Sequence, residues 1–267
     1  MAETSEASRS RADYGLDAPG VVRNLAICSV LGLAVWGSAA AGLWSGTIAI
    51  PVSGSGIRIG LTGMGLGVGL GCGAMALWML YSSKLGKIRE REALLDRIAW
   101  KGTEQVLDLG CGRGLMLVGA ARRLSTGTAT GVDIWQAEDL SGNRADAALE
   151  NARAEGVADR VKIETADMRK LPFADGSFDV VVSRAAIHNI YDADGRAKAI
   201  AEVARVLKPG GQALLDDIRH TREYAATLAR HGCGDVRSIG SPLVAGLLAI
   251  VTFGSLRPAT LLARKAV

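Results

Sequence analysis

The feature that most constrains this chain is where its charges are absent. Of its 58 Lys, Arg, Asp and Glu residues, eight fall in residues 1–83 and fifty in residues 84–267. Between Arg23 and Lys84, sixty positions carry one charge, Arg58. Leu25–Trp44 is twenty residues without a charge and Ile59–Ser83 is twenty-five. Each reaches the ~20 residues needed to cross a hydrocarbon core. With 49% apolar residues, a disordered chain is excluded. The 184 residues after position 83 suffice for one domain with a core and leave little for a second.

The chain therefore divides into a tail, 1–20, a two-helix transmembrane hairpin, 21–83, with spans near 25–44 and 59–83, and a globular domain, 84–267. Asp17-Ala18-Pro19 reads as a helix start, with Asp17 as N-cap and Pro19 in the first turn. Residues 45–57 read as a connecting loop. The first apolar run follows two dozen polar residues, which argues against a cleaved leader. Arg9, Arg11 and Arg23 precede the first span, and Lys84, Lys87, Arg89 and Arg91 follow the second. The positive-inside rule then predicts a two-pass protein of the cell membrane with both termini and the domain cytoplasmic. Membrane lipid is the first expected partner. In the second span, Gly63, Gly67 and Gly71 form a row of small residues, suited to close packing on the first span or on a second copy as a homo-oligomer.

The net charge of +4 comes without any Lys/Arg block interleaved with aromatics, so nucleic acid is not an expected partner. Cys28, Cys72, Cys111 and Cys233 are isolated, and no cluster has ligand spacing, so neither disulfides nor a metal is expected.

In the globular part, Lys84–Trp100 reads as a helix. Val106–Leu109 is an apolar strand that runs through Gly110-Cys111-Gly112-Arg113-Gly114 into a helix from Leu115. These glycines let backbone approach a ligand, but Leu115 stands where a dinucleotide fold wants its third glycine, which disfavours an NAD-dependent oxidoreductase. The next strand delivers Asp133 at its carboxyl end, 23 residues after Gly110, where a carboxylate can accept the hydroxyls of a ribose. Val161–Thr165 leads to Asp167-Met168, and Asp167 can accept from an adenine amine with Met168 and Ile134 as apolar walls. Strands at Phe178–Ser183 and Gln212–Asp216 follow, alternating with helices. The result is an α/β, doubly wound, mostly parallel sheet.

Val106–Gly114, Gly131–Ile134, Ala166–Met168 with Leu171-Pro172-Phe173, Ser177–Ser183 and Glu202–Gly211 resemble, in order, the motifs of class I S-adenosylmethionine-dependent methyltransferases, with the ubiquinone/menaquinone-type small-molecule branch nearest. The resemblance covers roughly residues 85–220. It implies a seven-stranded sheet and S-adenosyl-L-methionine as methyl donor. It also implies that Asp108, Gly110, Gly112 and Gly114 hold the methionine end, Asp133 the ribose and Asp167 the adenine, with Ser183 beside the donor methyl. The segment Trp135–Asn143 is longer than the usual turn into the next helix. Trp135 either covers the adenine or packs on the helix.

A base is needed only for an acceptor that carries a proton of high pKa. The candidates at strand ends are His188, Asp216, Asp217 and His220, with His188 and Asp216 each taken as catalytic. Against this stand plain structural roles: a satisfied polar residue at the sheet edge for His188, and capping or an ion pair with Arg219 for the aspartates. Ser183 has no adjacent base, so a hydrolase triad has no support. The nineteen uncharged residues between Arg237 and Arg257 include an apolar insertion, 239–256, in the closing hairpin. It reads as a helix lying on the membrane, or else as a buried one. In the first case the acceptor is a hydrophobic small molecule. Tyr14–Asn24 reads either as a lid over the donor or as a helix start. The expected function is methyl transfer from S-adenosylmethionine to such an acceptor. The alternative is a non-catalytic membrane regulator that binds the same cofactor or its demethylated product.

Overall fold

The computed structural model describes residues 12–52, 55–136, 140–252, 254 and 256–267. Arg9, Arg11 and most of the expected tail lie outside them. The chain separates into two units.

One unit comprises Gly15–Lys87 with residues 137–141. Its first helix, α1 (Pro19–Ala40), opens on Pro19 as expected, but Ala18 is the N-cap and no side chain caps it. Asp17 is engaged elsewhere: its carboxylate takes Lys87 Nζ at 3.1 Å and Ser83 Oγ at 3.3 Å. An ion pair with a nearly buried lysine outcompetes the cap. The expected loop at 45–57 is a hairpin of β1 (Thr47–Val52) and β2 (Ser55–Gly60), antiparallel. Helix α2 (Leu61–Tyr81) continues through a π-helical turn, Ser82–Gly86, into α3 (Lys87–Leu95), so the second span and the helix after it are one run. Among the described residues, Pro19–Ala40 and Leu61–Leu95 are long and apolar enough to cross a membrane. The glycine row that meets α1 is Gly65, Gly69 and Gly73. A methyl on Gly69 would lie 2.8 Å from Leu33 Cγ, and one on Gly32 would lie 2.7 Å from the Gly65 carbonyl oxygen. Ser29 Oγ donates to the Gly69 carbonyl at 2.7 Å. Gly63, Gly67 and Gly71, expected to pack on the first span or a second copy, meet nothing within 4 Å.

The other unit contains Ile88–Gln136 and Gly142–Val267, together with the chain up to Tyr14. In chain order its elements are β3 (Gln105–Leu109), α4 (Leu115–Ala121), β4 (Thr128–Asp133), α5 (Ala145–Ala154), β5 (Val161–Thr165), β6 (Phe178–Arg184), α6 (Ala193–Val206), β7 (Leu207–Asp217), α7 (Thr221–Arg230), β8 (Cys233–Ile239), α8 (Pro242–Val251) and β9 (Ala259–Lys265). The seven strands lie in the order β5-β4-β3-β6-β7-β9-β8. The first five are parallel, and β9 pairs antiparallel to both β7 and β8. Strand residues alternate between two cores. Leu107, Val181 and Leu215 face a cluster with Ile200, Val203 and Leu228, whereas Val106, Val180 and Leu214 face one with Leu117, Val118 and Leu95. Sheets covered on both faces need such continuous apolar strands. The chain leaves β3 towards β4 on one side and β6 towards β7 on the other. The switch point therefore falls between β3 and β6, where ligands of such sheets bind at the carboxyl ends.

Candidate donor site and a paired histidine

The turn after β3 is built from left-handed glycines: Gly110, Gly112 and Gly114 have φ of +69°, +52° and +83°. Other residues resist that region. At Gly110 space also forbids a side chain, because an added methyl would lie 2.3 Å from Ala186 Cβ and 3.4 Å from Met168 Cε. The turn is thereby seated against the residues that follow β6 and β5. Across the switch point, Ser183, 2% exposed, donates its hydroxyl to the Leu109 carbonyl at 2.8 Å. It ties β3 to β6 at the point where the turn begins.

Asp108 is 1% exposed, and its Oδ2 has no hydrogen-bond partner among the described residues. Burial pushes its carboxyl up to about 8, the nearby Asp133 charge adds to this, and a hydrogen bond from the Leu117 backbone opposes it. An orphaned buried oxygen calls for a donor, and a cation is the partner that would restore the carboxylate. The ammonium group of S-adenosylmethionine is such a donor, so these residues fit the methionine end of that molecule.

Asp133 sits at the end of β4. Its Oδ2 accepts from Gly112 N at 2.8 Å and its Oδ1 from Trp135 N at 2.6 Å. Asn143 Nδ2 also reaches Oδ1, at 3.4 Å, so the carboxylate holds the glycine turn from the side and Oδ2 retains a lone pair for a ribose hydroxyl. Trp135 adopts φ +63°, uncommon for a bulky residue, and donates Nε1–H to Thr165 Oγ1 at 2.8 Å while its ring packs on the core beside α4. Ile134 is half exposed. Asp167 is held by Arg169, whose Nη2 lies 2.6 Å from Oδ2. That guanidinium keeps the carboxyl below its ordinary range.

After β6 the chain passes Ala185 at φ +51° and makes a single 3-10 turn, Ile187–Asn189. His188 Nδ1 meets Asp217 Oδ1 at 2.5 Å, and His188 N donates to Asp217 Oδ2 at 3.1 Å. Asp217 is buried at the end of β7 and also accepts from Tyr224 OH at 3.2 Å and Ile218 N at 2.8 Å. A buried carboxylate on Nδ1 favours the tautomer that leaves Nε2 as the acceptor. The carboxylate that meets His188 is therefore Asp217 and not Asp216. Neighbours on a strand face opposite ways, and Asp216 turns to Thr260 Oγ1 at 2.6 Å and Arg184 Nε at 3.4 Å. Arg219 is not the partner given to either aspartate. His220 pairs with Glu223 at 3.1 Å.

Sequence reasoning missed Arg91, Arg113 and Asn151. Arg91 and Asn151 are buried, and Arg113 lies inside the glycine turn. Asn151 carried a signal: it lies on the face of α5 shared by Ala147, Ala148 and Ala152, where an apolar residue is the rule.

Residues 107–215 match a protein-family model described as a methyltransferase domain. Methyltransferase GfsG of Streptomyces halstedii is 36% identical over 146 residues, covering 54% of this chain and 49% of that protein. The 27-O-demethylrifamycin SV methyltransferase of Amycolatopsis mediterranei is 34% identical over 159 residues, covering 57% and 53%. The chain spans about half the length of these curated relatives. A solved structure of geranyl diphosphate methyltransferase in complex with SAM superposes with a TM-score of 0.52 at 19% identity, covering 67% of this chain and 85% of that one, a likeness of fold.

Proposed function

We propose that the protein is a membrane-anchored O-methyltransferase acting on a lipophilic small molecule that carries a hydroxyl, of which quinone-type phenols are one class. The observation that carries this reading is the His188–Asp217 pair beside the glycine turn. Bound at that turn, S-adenosylmethionine supplies an already activated sulfonium methyl, so positioning and dryness do most of the catalysis. A hydroxyl acceptor must still lose a proton, and His188 Nε2 takes it as the C–O bond forms and the S–CH3 bond breaks. Asp217 orients the ring and stabilises its protonated form. Asp108 pairs the donor's ammonium, Asp133 accepts from its ribose and Asp167 from its adenine. Among the relatives, one is named 27-O-demethylrifamycin SV methyltransferase and others are named C-methyltransferases, so the acceptor atom rests on His188 and on the test below.

The two apolar helices support the anchor, with both ends cytoplasmic by their flanking bases. Leu243, Leu247 and Ile250 of α8, spaced for one helical face, are 82%, 61% and 75% exposed. A free apolar stripe flanked by Arg237 and Arg257 suits a helix resting in a lipid interface, from which the acceptor enters. The test is transfer of a 13C-labelled methyl group to a membrane-lipid extract, followed by the carbon shift of the product. An oxygen-bound methyl supports the proposal. A carbon-bound methyl would overturn the hydroxyl-acceptor reading, and binding without product would favour the regulator.

A further inference from the structure

The methyl-transfer site leaves the Tyr14–Asn24 motif unused, yet residues just ahead of α1 are built into its edge. Asn151, 4% exposed, reads the Asp13 main chain in both directions. Its Oδ1 accepts from Asp13 N at 2.8 Å, and its Nδ2 donates to the Asp13 carbonyl at 2.9 Å. The same Nδ2 donates to the Arg113 carbonyl at 2.8 Å, between Gly112 and Gly114. Arg113 in turn places Nε on the Asp13 carbonyl at 2.7 Å and Nη2 on the Asp13 carboxylate at 3.1 Å. One residue on, Tyr14 is 4% exposed, with its ring centre 5.5 Å from the Arg91 guanidinium. Its hydroxyl donates to Glu155 and accepts from Arg91 Nη1 at 3.0 Å, and Arg91 Nη1 reaches Glu155 Oε1 at 3.1 Å. Asp13, Tyr14 and all these partners belong to the unit of the seven-stranded sheet.

A turn with three left-handed glycines has many shapes open to it and must be held in one from outside. Asp133 grips it at Gly112, and Asn151 grips it at Arg113. Asn151 makes that second grip with the amide group that also holds Asp13. The Tyr14–Arg91–Glu155 cluster fixes where Asp13 lies, by burying a cation–π contact and a charge-assisted network. A purely structural tail would need none of these bonds to the glycine turn.

We infer that Asp13 and Tyr14 form a latch that holds the Gly112–Gly114 turn in its donor-binding shape, which makes Tyr14 and Asn151 positioning residues for the methyl donor. This rests on the reading of the turn as the donor site. The coupling is reciprocal: if the docked tail strengthens donor binding, a bound donor must hold the tail down by the same factor.

The test uses the full chain in nanodiscs with S-adenosylhomocysteine as probe. Amide hydrogen exchange over residues 12–14 is followed with and without it, and its Kd is measured for wild type, Tyr14→Ala, Tyr14→Phe and Asn151→Ala. The latch predicts slower exchange at 12–14 on saturation. It predicts a Kd raised about tenfold in Tyr14→Ala and Asn151→Ala, within the usual range of site-to-site coupling. Tyr14→Phe, which keeps the ring over Arg91, should lose less. Unchanged exchange in wild type together with unchanged Kd in the variants, even with a lowered Tm, would overturn the latch while leaving the donor site standing. Failure of wild type to bind the probe would overturn the donor-site reading and the latch with it.

Discussion

Asp108 is the residue whose environment asks most for a partner. In the folded chain its carboxyl is raised to about 8, against about 4 in an unfolded one, so the native state holds the proton more tightly. Its stabilising contribution is complete below about pH 4 and is lost as pH rises through 8. Asp108→Asn should therefore raise the Tm of the donor-free protein more at pH 8 than at pH 5, while weakening S-adenosylhomocysteine binding. Parallel Tm–pH curves for the two proteins would contradict this. Binding the cationic donor should also release a proton near pH 7, readable by calorimetry in two buffers of different ionisation enthalpy. For His188→Ala the expected loss is about 10² to 10⁴ in kcat with donor Kd unchanged, the usual worth of a general base. Asp217→Asn should lose less than that. Asp108, the glycines, Asp133 and His188 were legible because each sits in a motif or at a strand end. The choice between Asp216 and Asp217 was not, since adjacent strand positions face opposite ways and sequence leaves open which side the base occupies.

At the scale of elements, the central strands β3 and β6 were marked by apolar runs between turn residues, whereas β5 and β8 mix apolar with charged positions. The exceptions are instructive. β1 and β2 were hidden because Pro51 and the glycines around 54–56 read as a plain loop. In α2, glycine at every second position makes two interleaved rows about 200° apart on the helix, and composition cannot say which faces α1. The structure selects Gly65, Gly69 and Gly73, where backbones touch. Gly69→Leu should accordingly cost about 1–3 kcal/mol of packing and lower the Tm in detergent, as overfilled interfaces do. Gly67→Leu, on the open row, should leave it within error. The opposite ranking would mean that the helices pair differently.

For the whole molecule, the chain separates into two units, with divisions at Tyr14/Gly15 and Lys87/Ile88. Chain order did not reveal that Asp13 and Tyr14 belong with the unit of the seven-stranded sheet, because their partners Arg113, Asn151 and Glu155 lie 100 to 141 positions away. The insertion 239–256 belongs to this scale too. Leu243→Gln, Leu247→Gln and Ile250→Gln together should slow turnover of a lipophilic acceptor while sparing a water-soluble analogue of it. An equal loss on both would remove α8 from the acceptor's route.

The central claim is that this chain transfers a methyl group and uses His188 to do so. The direct measurement is radiolabel from methyl-labelled S-adenosylmethionine entering the lipid fraction of a membrane extract, compared for wild type and His188→Ala at equal donor occupancy. The account predicts labelled product with wild type and at least a hundredfold slower labelling with the variant, the lower end of a general base's contribution. Saturable donor binding with no labelled product from wild type, or equal rates for the two proteins, would contradict it.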